Sequence, residues 1–161
     1  MDDTTVKLLQ KGKGKGKNKT KTARLWVYAR DETAWTGGAP PAAWYQFSTA
    51  RGAEHPSKHL ETYAGFAHTD AYAGYNGAYR TGRVKEIKYA LARLPKPRPY
   101  LDPGFLEPDN NTAKRAVHPV AVGRKNYLFM GSEAGGKSAT IAYTLIETAK
   151  MNKVNPEAWL A

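Results

Sequence analysis

Cysteine is absent from this 161-residue chain. That excludes disulfides, zinc–thiolate sites and a cysteine nucleophile, and it fits a reducing compartment. Long apolar runs are missing too: nothing approaches the roughly 18 residues that cross a bilayer. Met1-Asp2-Asp3 is acidic, with no apolar stretch behind it, unlike a secretory signal. A cytoplasmic protein with no membrane partner is the expectation. Acidic residues are few, 14 Asp and Glu against 25 Lys and Arg, which gives a formal charge of +11 and a pI near 9.8. Such an excess favours polyanions, nucleic acid first among them. A soluble protein with a solvated basic tail is the plainer alternative. The four histidines, His55, His59, His68 and His118, show no metal-ligand spacing, and no internal repeat is visible. The length suits one domain of ordinary size.

Patterning along the chain sketches an α/β protein. Thr4 to Leu9, Arg24 to Arg30 and Ala43 to Ser48 read as strands, rich in β-branched and aromatic residues, and together as a β-meander. Between the first two lies Lys11-Gly12-Lys13-Gly14-Lys15-Gly16-Lys17-Asn18-Lys19-Thr20-Lys21, expected to be a flexible basic loop. Its like charges repel, and glycine carries a high ordering entropy. Pro56 to Tyr63 suits a short helix with proline in its first turn. Gly65 to Asp70 reads as a fourth strand ending on a carboxylate, and 71–79 as a loop running into a helix. Lys85 to Leu94 has helical spacing, with Ile87, Leu91 and Leu94 on one face, and Pro95, Pro97 and Pro99 end it. Asn111 to Val117 suits a helix start with an asparagine N-cap. Ala139 to Met151 is helical, and Pro156 to Leu160 begins a last turn.

Two constellations carry chemistry. Asp2 on the first strand and Asp70 at the end of the fourth are placed to form a carboxylate pair. Paired carboxylates suit magnesium, a hard ion that prefers oxygen. Two such ions roughly 3.5–4 Å apart stabilise the attacking and leaving oxygens of a phosphodiester. Read from the residues alone, two aspartates near strands are far more often solvated turn residues. The second constellation, Gly131-Ser132-Glu133-Ala134-Gly135-Gly136-Lys137-Ser138, satisfies a phosphate-loop pattern, with Lys137 and Ser138 in the ligating positions. Only about one helix of chain follows it, too little for the parallel strands such a fold needs. The lysine run and Arg115, Arg124 and Lys125 are candidate phosphate contacts. Aromatics near the run, Trp26, Tyr28, Trp44 and Tyr45, are more readily explained by sheet packing than by nucleic acid.

Several motifs in order resemble one family. Asp2-Asp3-Thr4 with Val6, the stretch Thr20 to Asp31, Asp70-Ala71-Tyr72-Ala73-Gly74-Tyr75-Asn76, Asp109 to Arg115, Gly123 to Phe129 and Leu145 to Lys150 are similar to segments of bacterial transposases of the insertion-sequence-66 family. The resemblance covers nearly the whole chain. It implies an incomplete ribonuclease-H-like α/β core (β-meander plus a fourth strand, with helices) and a helical C-terminal segment. Residues 1–84 would be the N-terminal part of the core, 85–120 its C-terminal part after an internal deletion, and 121–161 the C-terminal segment. It implies DNA cleavage and strand transfer in DNA transposition, dependent on Mg2+ or Mn2+ held by an Asp-Asp-Glu triad. Asp2 matches the first acid, with Asp3 the less favoured choice, and Asp70 the second.

The third acid is replaced by Lys114, whose charge opposes metal binding and sits unfavourably at a helix N-terminus. Neither Glu107 nor Asp109 falls three or four residues from position 114, the spacing of neighbours on a helix. The family's helical insertion between the second and third acids, and the strand before it, are missing, so the sheet is expected to lack a fifth strand. The N-terminal DNA-recognition region is likewise expected to be absent. The resulting expectation is a truncated transposase remnant, inactive and holding no metal tightly. It would bind DNA through Lys11, Lys13, Lys15, Lys17, Lys19, Lys21, Arg115, Arg124 and Lys125, and would associate with itself or with full-length transposase. Alternatives are a non-catalytic basic nucleic-acid-binding protein that regulates transposition, or a decayed product with no selected role.

Overall fold

In a computed structural model, the chain is described over residues 1–10, 19–33, 38–70, 72–80, 82, 84–87, 110–127 and 129–161. The elements there are β1 (Asp2–Gln10), β2 (Lys19–Arg30), β3 (Ala42–Ser48), α1 (Glu54–His59), β4 (Gly65–His68), a 3-10 turn (Ala73–Tyr75), α2 (Asn76–Tyr79), β5 (Val84–Ile87), α3 (Asn111–Gly123), α4 (Glu133–Met151) and α5 (Pro156–Leu160). The mixed α/β architecture agrees with the sequence reading.

The meander forms as expected: β1, β2 and β3 make an antiparallel sheet with β2 in the middle. Strand alternation divides the side chains between two cores. Val6 and Leu8, Ala23, Leu25 and Val27, and Ala43, Tyr45 and Phe47 share one face, which Ala116 and Val120 of α3 and Tyr143 and Met151 of α4 cover. Trp26 and Tyr28 point the other way and pack with Leu60, Ala67, Tyr75, Ala78 and Val84. Leu25, Trp26 and Val27 are wholly buried, each contributing about 1.5–3 kcal/mol.

Helix α4 also seals the edge of β3. Tyr45 N donates to Thr144 Oγ1 (3.0 Å), and Ala43 N donates to Thr148 Oγ1 (3.1 Å), which itself donates to Ala43 O (3.1 Å). Asn152 Nδ2 donates to Pro41 O (2.7 Å). These side chains recur every four residues along one helix face, and they occupy an edge that would otherwise invite another strand. The outer edge of β1 is also covered. Met130 bridges Lys7 O and Leu9 N, and Arg124 Nη1 donates to Thr4 Oγ1 (3.0 Å), Thr5 O (2.8 Å) and Thr5 Oγ1 (2.9 Å).

Four expectations are corrected. Residues 84–87 are a strand, not the start of a helix: β5 pairs in parallel with β4, Gly65 opposite Val84 through His68 opposite Ile87. The rest of that expected helix, 88–94, lies outside the described residues. Helical spacing of three apolar residues gave way to β-branched Val84 and Ile87 beside an available strand. A fifth strand, expected to be missing, is therefore present among the described residues. Lys19 and Lys21 belong to β2, paired with Gln10 and Leu8, rather than to the basic loop; Lys11 to Asn18 lie outside the described residues. Helix α4 begins at Glu133, six residues early, because Ser132 caps it. Helix α3 continues through Pro119 to Gly123. The lost backbone donor is offset there by burial of Ala116 and Val120 against the sheet.

Candidate functional site

Asp2 and Asp3 open β1, and Asp70 follows β4 by two residues. Met1 N donates to His68 O (2.5 Å), which joins the start of β1 to the end of β4. One carboxylate oxygen from each of Asp2, Asp3 and Asp70 lies within 4.8 Å of the others. The two aspartates paired from sequence are therefore neighbours, and Asp3 joins them.

The three acids are not equivalent. The Asp3 side chain is fully buried between two arginines. Arg24, its diagonal neighbour on β2, places Nη1 2.9 Å from Asp3 Oδ2. Arg51, in the turn after β3, donates to Asp3 Oδ1 from Nη2 (2.7 Å) and Nε (3.1 Å). The same Nη2 lies 3.6 Å from Asp70 Oδ2. Its guanidinium stacks on Tyr72, 3.9 Å from the ring centroid, and the Tyr72 hydroxyl donates to the Arg51 carbonyl. Burial pushes the Asp2 carboxyl above its ordinary value; the Asp3 amide donating to Asp2 Oδ1 (2.8 Å) opposes this, and the Asp70 charge adds to it. Asp70 Oδ1 is buried with no hydrogen-bond partner. The fully buried Tyr75 also has an unpartnered hydroxyl. Burial raises it far above its usual range, and Tyr28, Asp70, Asp3 and Asp2 add to the effect.

These donors suit a hard divalent cation, since all are carboxylate oxygens and Asp70 Oδ1 is unspent. Asp2 and Asp70 fit one ion. Asp3 is taken up by its arginines, and a second ion would need another acid. Helix α3, which carries position 114, is anchored beside this site. Asn110 accepts from Met1 N (3.1 Å) and donates to Met1 O (2.9 Å). Lys114 lies one turn further along and is exposed.

The basic candidates are dispersed. Lys19 and Lys21 are exposed at the end of β2 opposite Gln10 and Leu8, about 26 and 20 Å respectively along β1 from Asp2 at 3.3 Å per residue. Arg115 Nη2 donates to Thr112 Oγ1 (2.9 Å) on α3. Arg124 is held by Thr4 and Thr5, and Lys125 is exposed. Lys11, Lys13, Lys15 and Lys17, with Glu107 and Asp109, lie outside the described residues. The phosphate-loop pattern is helical instead: Gly135 N donates to Ser132 Oγ (3.0 Å), and Lys137 pairs with Glu133 (3.0 Å) on the surface of α4. Sequence reasoning missed Arg51 and Tyr72. The available signal was chemical: an aspartate beside Asp2 that is buried by the sheet needs cations, and Arg24 falls diagonal to it.

A family model described as "Transposase IS66 family" matches residues 1–88 and, separately, 84–138. Two curated relatives come from Sinorhizobium fredii. "Uncharacterized protein y4qI" is 26% identical over 250 residues, covering 99% of this chain and 46% of the relative. "Uncharacterized protein y4hP" is 25% identical over 259 residues, with the same coverage of 99% and 46%. The chain thus spans about half the length of the curated relatives it matches. No solved structure gives a significant match.

Proposed function

Because this chain belongs to the IS66 transposase family, we infer that it is a remnant of a DNA transposase catalytic core, retaining two of three metal-binding acids and no longer cleaving DNA. Its fold on this account is ribonuclease-H-like. An antiparallel β1–β3 meander, a parallel β4–β5 pair, helices on both sheet faces, and acids at β1 and just after β4 support it. The observation that carries it is the convergence of Asp2 and Asp70, 68 positions apart in sequence, within 4.8 Å. The match in two pieces meeting at 84–88, and alignments of 250 and 259 positions against 161 residues, support an internal deletion near β5.

In the ancestral activity, Asp2, Asp70 and an acid at position 114 would hold Mg2+ or Mn2+. A divalent ion bound there supplies charge stabilisation to the attacking and leaving oxygens of the phosphodiester. Here Asp2 and Asp70 remain able to bind and orient one ion. Lys114 brings a positive charge where the ancestral site needs a negative one, which disfavours a second. DNA is the partner, approached through the excess of basic side chains. Exposed apolar side chains such as Ile141, Trp159 and Leu160, each more than half exposed, are candidate contacts for association with itself or with full-length transposase. The reading places the protein in the cytoplasm; among the described residues no helix is long and apolar enough to cross a membrane. A second reading, a non-catalytic nucleic-acid-binding regulator, is favoured by the +11 charge.

Nicking of supercoiled DNA with Mg2+ or Mn2+, beside metal titration of the chain and of Lys114→Glu, tests this. The unmodified chain should not nick, and Lys114→Glu should bind Mn2+ more tightly without regaining transposition. Robust nicking by the unmodified chain overturns the inactive reading. Equal metal affinity in the two forms overturns the placement of position 114 at the site.

A further inference from the structure

The geometry points to Arg51 as a built-in occupant of the acid cluster, a guanidinium that ties Asp70 to Asp3 and competes with a divalent cation for the same carboxylates. This rests on the reading of Asp2 and Asp70 as the retained acids and assigns the cluster a further residue. Three independent contacts fix Arg51. Its guanidinium donates twice to the wholly buried Asp3, lies 3.6 Å from Asp70 Oδ2, and stacks on Tyr72. The Tyr72 hydroxyl closes back on the Arg51 carbonyl, so the side chain and its own backbone are clamped by one tyrosine two residues beyond Asp70. A planar fork with fixed donors is suited to bridging two carboxylates in this way, and a lysine is not.

The charge balance gives this arrangement its consequence. Three carboxylates face two guanidiniums, Arg24 and Arg51, and the buried Met1 amine, whose pKa burial lowers to about 6; with that amine neutral, one negative charge remains. Arg24 reaches only the far oxygen of Asp3. Arg51 spans Asp3 and Asp70, so its guanidinium stands against a carboxylate an incoming ion must use. Cluster assembly is then independent of metal: β4 and β1 are cross-linked at their acidic ends by a side chain the chain always carries. A divalent ion must displace Arg51 from Asp70 or accept its repulsion.

The test is Mn2+ titration of the whole chain and of Arg51→Gln, followed by calorimetry and by the metal-induced shift in melting temperature. Removing one positive charge about 5 Å from a divalent ion should tighten binding about tenfold even with aqueous screening. The Mn2+-induced rise in melting temperature should be larger in Arg51→Gln than in the parent. Unchanged or weaker Mn2+ binding in Arg51→Gln overturns the proposal. Asp70→Asn in the Arg51→Gln background separates the two ideas. If it abolishes Mn2+ binding while Arg51→Gln alone brought no gain, the acid pair stands and the competition fails. If binding survives it, the acid-pair reading itself fails. Should Arg51→Gln not fold, the parent still decides: the Arg51 Nε–H resonance should be visible and exchange-protected without metal. An exchange-averaged Arg51 signal in metal-free protein would overturn the lock.

Discussion

Adjacent glycines in α4 should respond to alanine with opposite signs. A Cβ built on Gly136 falls 2.6, 2.7 and 2.8 Å from ring atoms of Phe47, a side chain only 8% exposed and set between the sheet and the helix. The ring cannot swing away without disturbing β3, so Gly136→Ala carries an overpacking cost of about 1–3 kcal/mol. Gain in helix propensity returns about 0.8–1 kcal/mol, leaving a net loss of up to about 2 kcal/mol. A Cβ on Gly135 meets only Ser132 Oγ at 3.4 Å, an ordinary contact. Gly135→Ala should therefore stabilise by about 0.5 kcal/mol, the first-turn share of the same propensity. Urea unfolding of the three proteins reads both signs at once. The pair also tests the phosphate-loop pattern, since a real loop would lose nucleotide binding in both variants with no such split in stability. Matching signs would refute the packing argument, and nucleotide binding lost in both would reinstate the phosphate loop.

Burial lowers the His59 imidazole to about 4, helped by the His55 and Lys58 charges. Tyr28 Oη lies 2.7 Å from His59 Nδ1, and the neutral ring is the form that accepts from it. The folded pKa is depressed, so the neutral ring's contribution, about 2 kcal/mol after allowance for partial exposure, is complete above pH 6.5 and is lost as pH falls toward 4. An NMR titration midpoint near 4 is expected, and one at 6 or above contradicts it. Thr144→Val removes the acceptor for Tyr45 N and should cost about 1–3 kcal/mol, with increased self-association on size-exclusion chromatography; parental stability would show that the edge is not sealed by α4. DNA binding should be weak, independent of sequence and steeply salt-dependent through counterion release, and a flat salt response in fluorescence anisotropy would count against the electrostatic reading.

Much of the fold was legible because its signals are local. Trp26, Val27 and Tyr28 announce a strand, and Ile141, Leu145 and Ile146 announce a helix. The acid pair was legible only through the order of motifs: nothing in the composition joins Asp2 to Asp70. The parallel β4–β5 pairing was not legible, because Val84 to Ile87 takes its state from a partner nearly twenty residues away, which outweighs its own periodicity. The early start of α4 was hidden by Gly135 and Gly136, which read as loop although Phe47 requires the small residue there. Arg51 carries no pattern at all. Its role depends on how far Asp3 is buried, and burial appears only once the sheet is built.

The central claim is that Asp2, Asp70 and position 114 are three corners of one former metal site. The most direct measurement is Mn2+ paramagnetic broadening of backbone amides in the Lys114→Glu chain. Broadening should centre on Asp2, Asp3, Asp70 and the first turn of α3, and it should be weaker at α3 in the parent. Broadening scattered over exposed acids such as Glu133 and Glu157, with β1 and α3 untouched, would contradict the account.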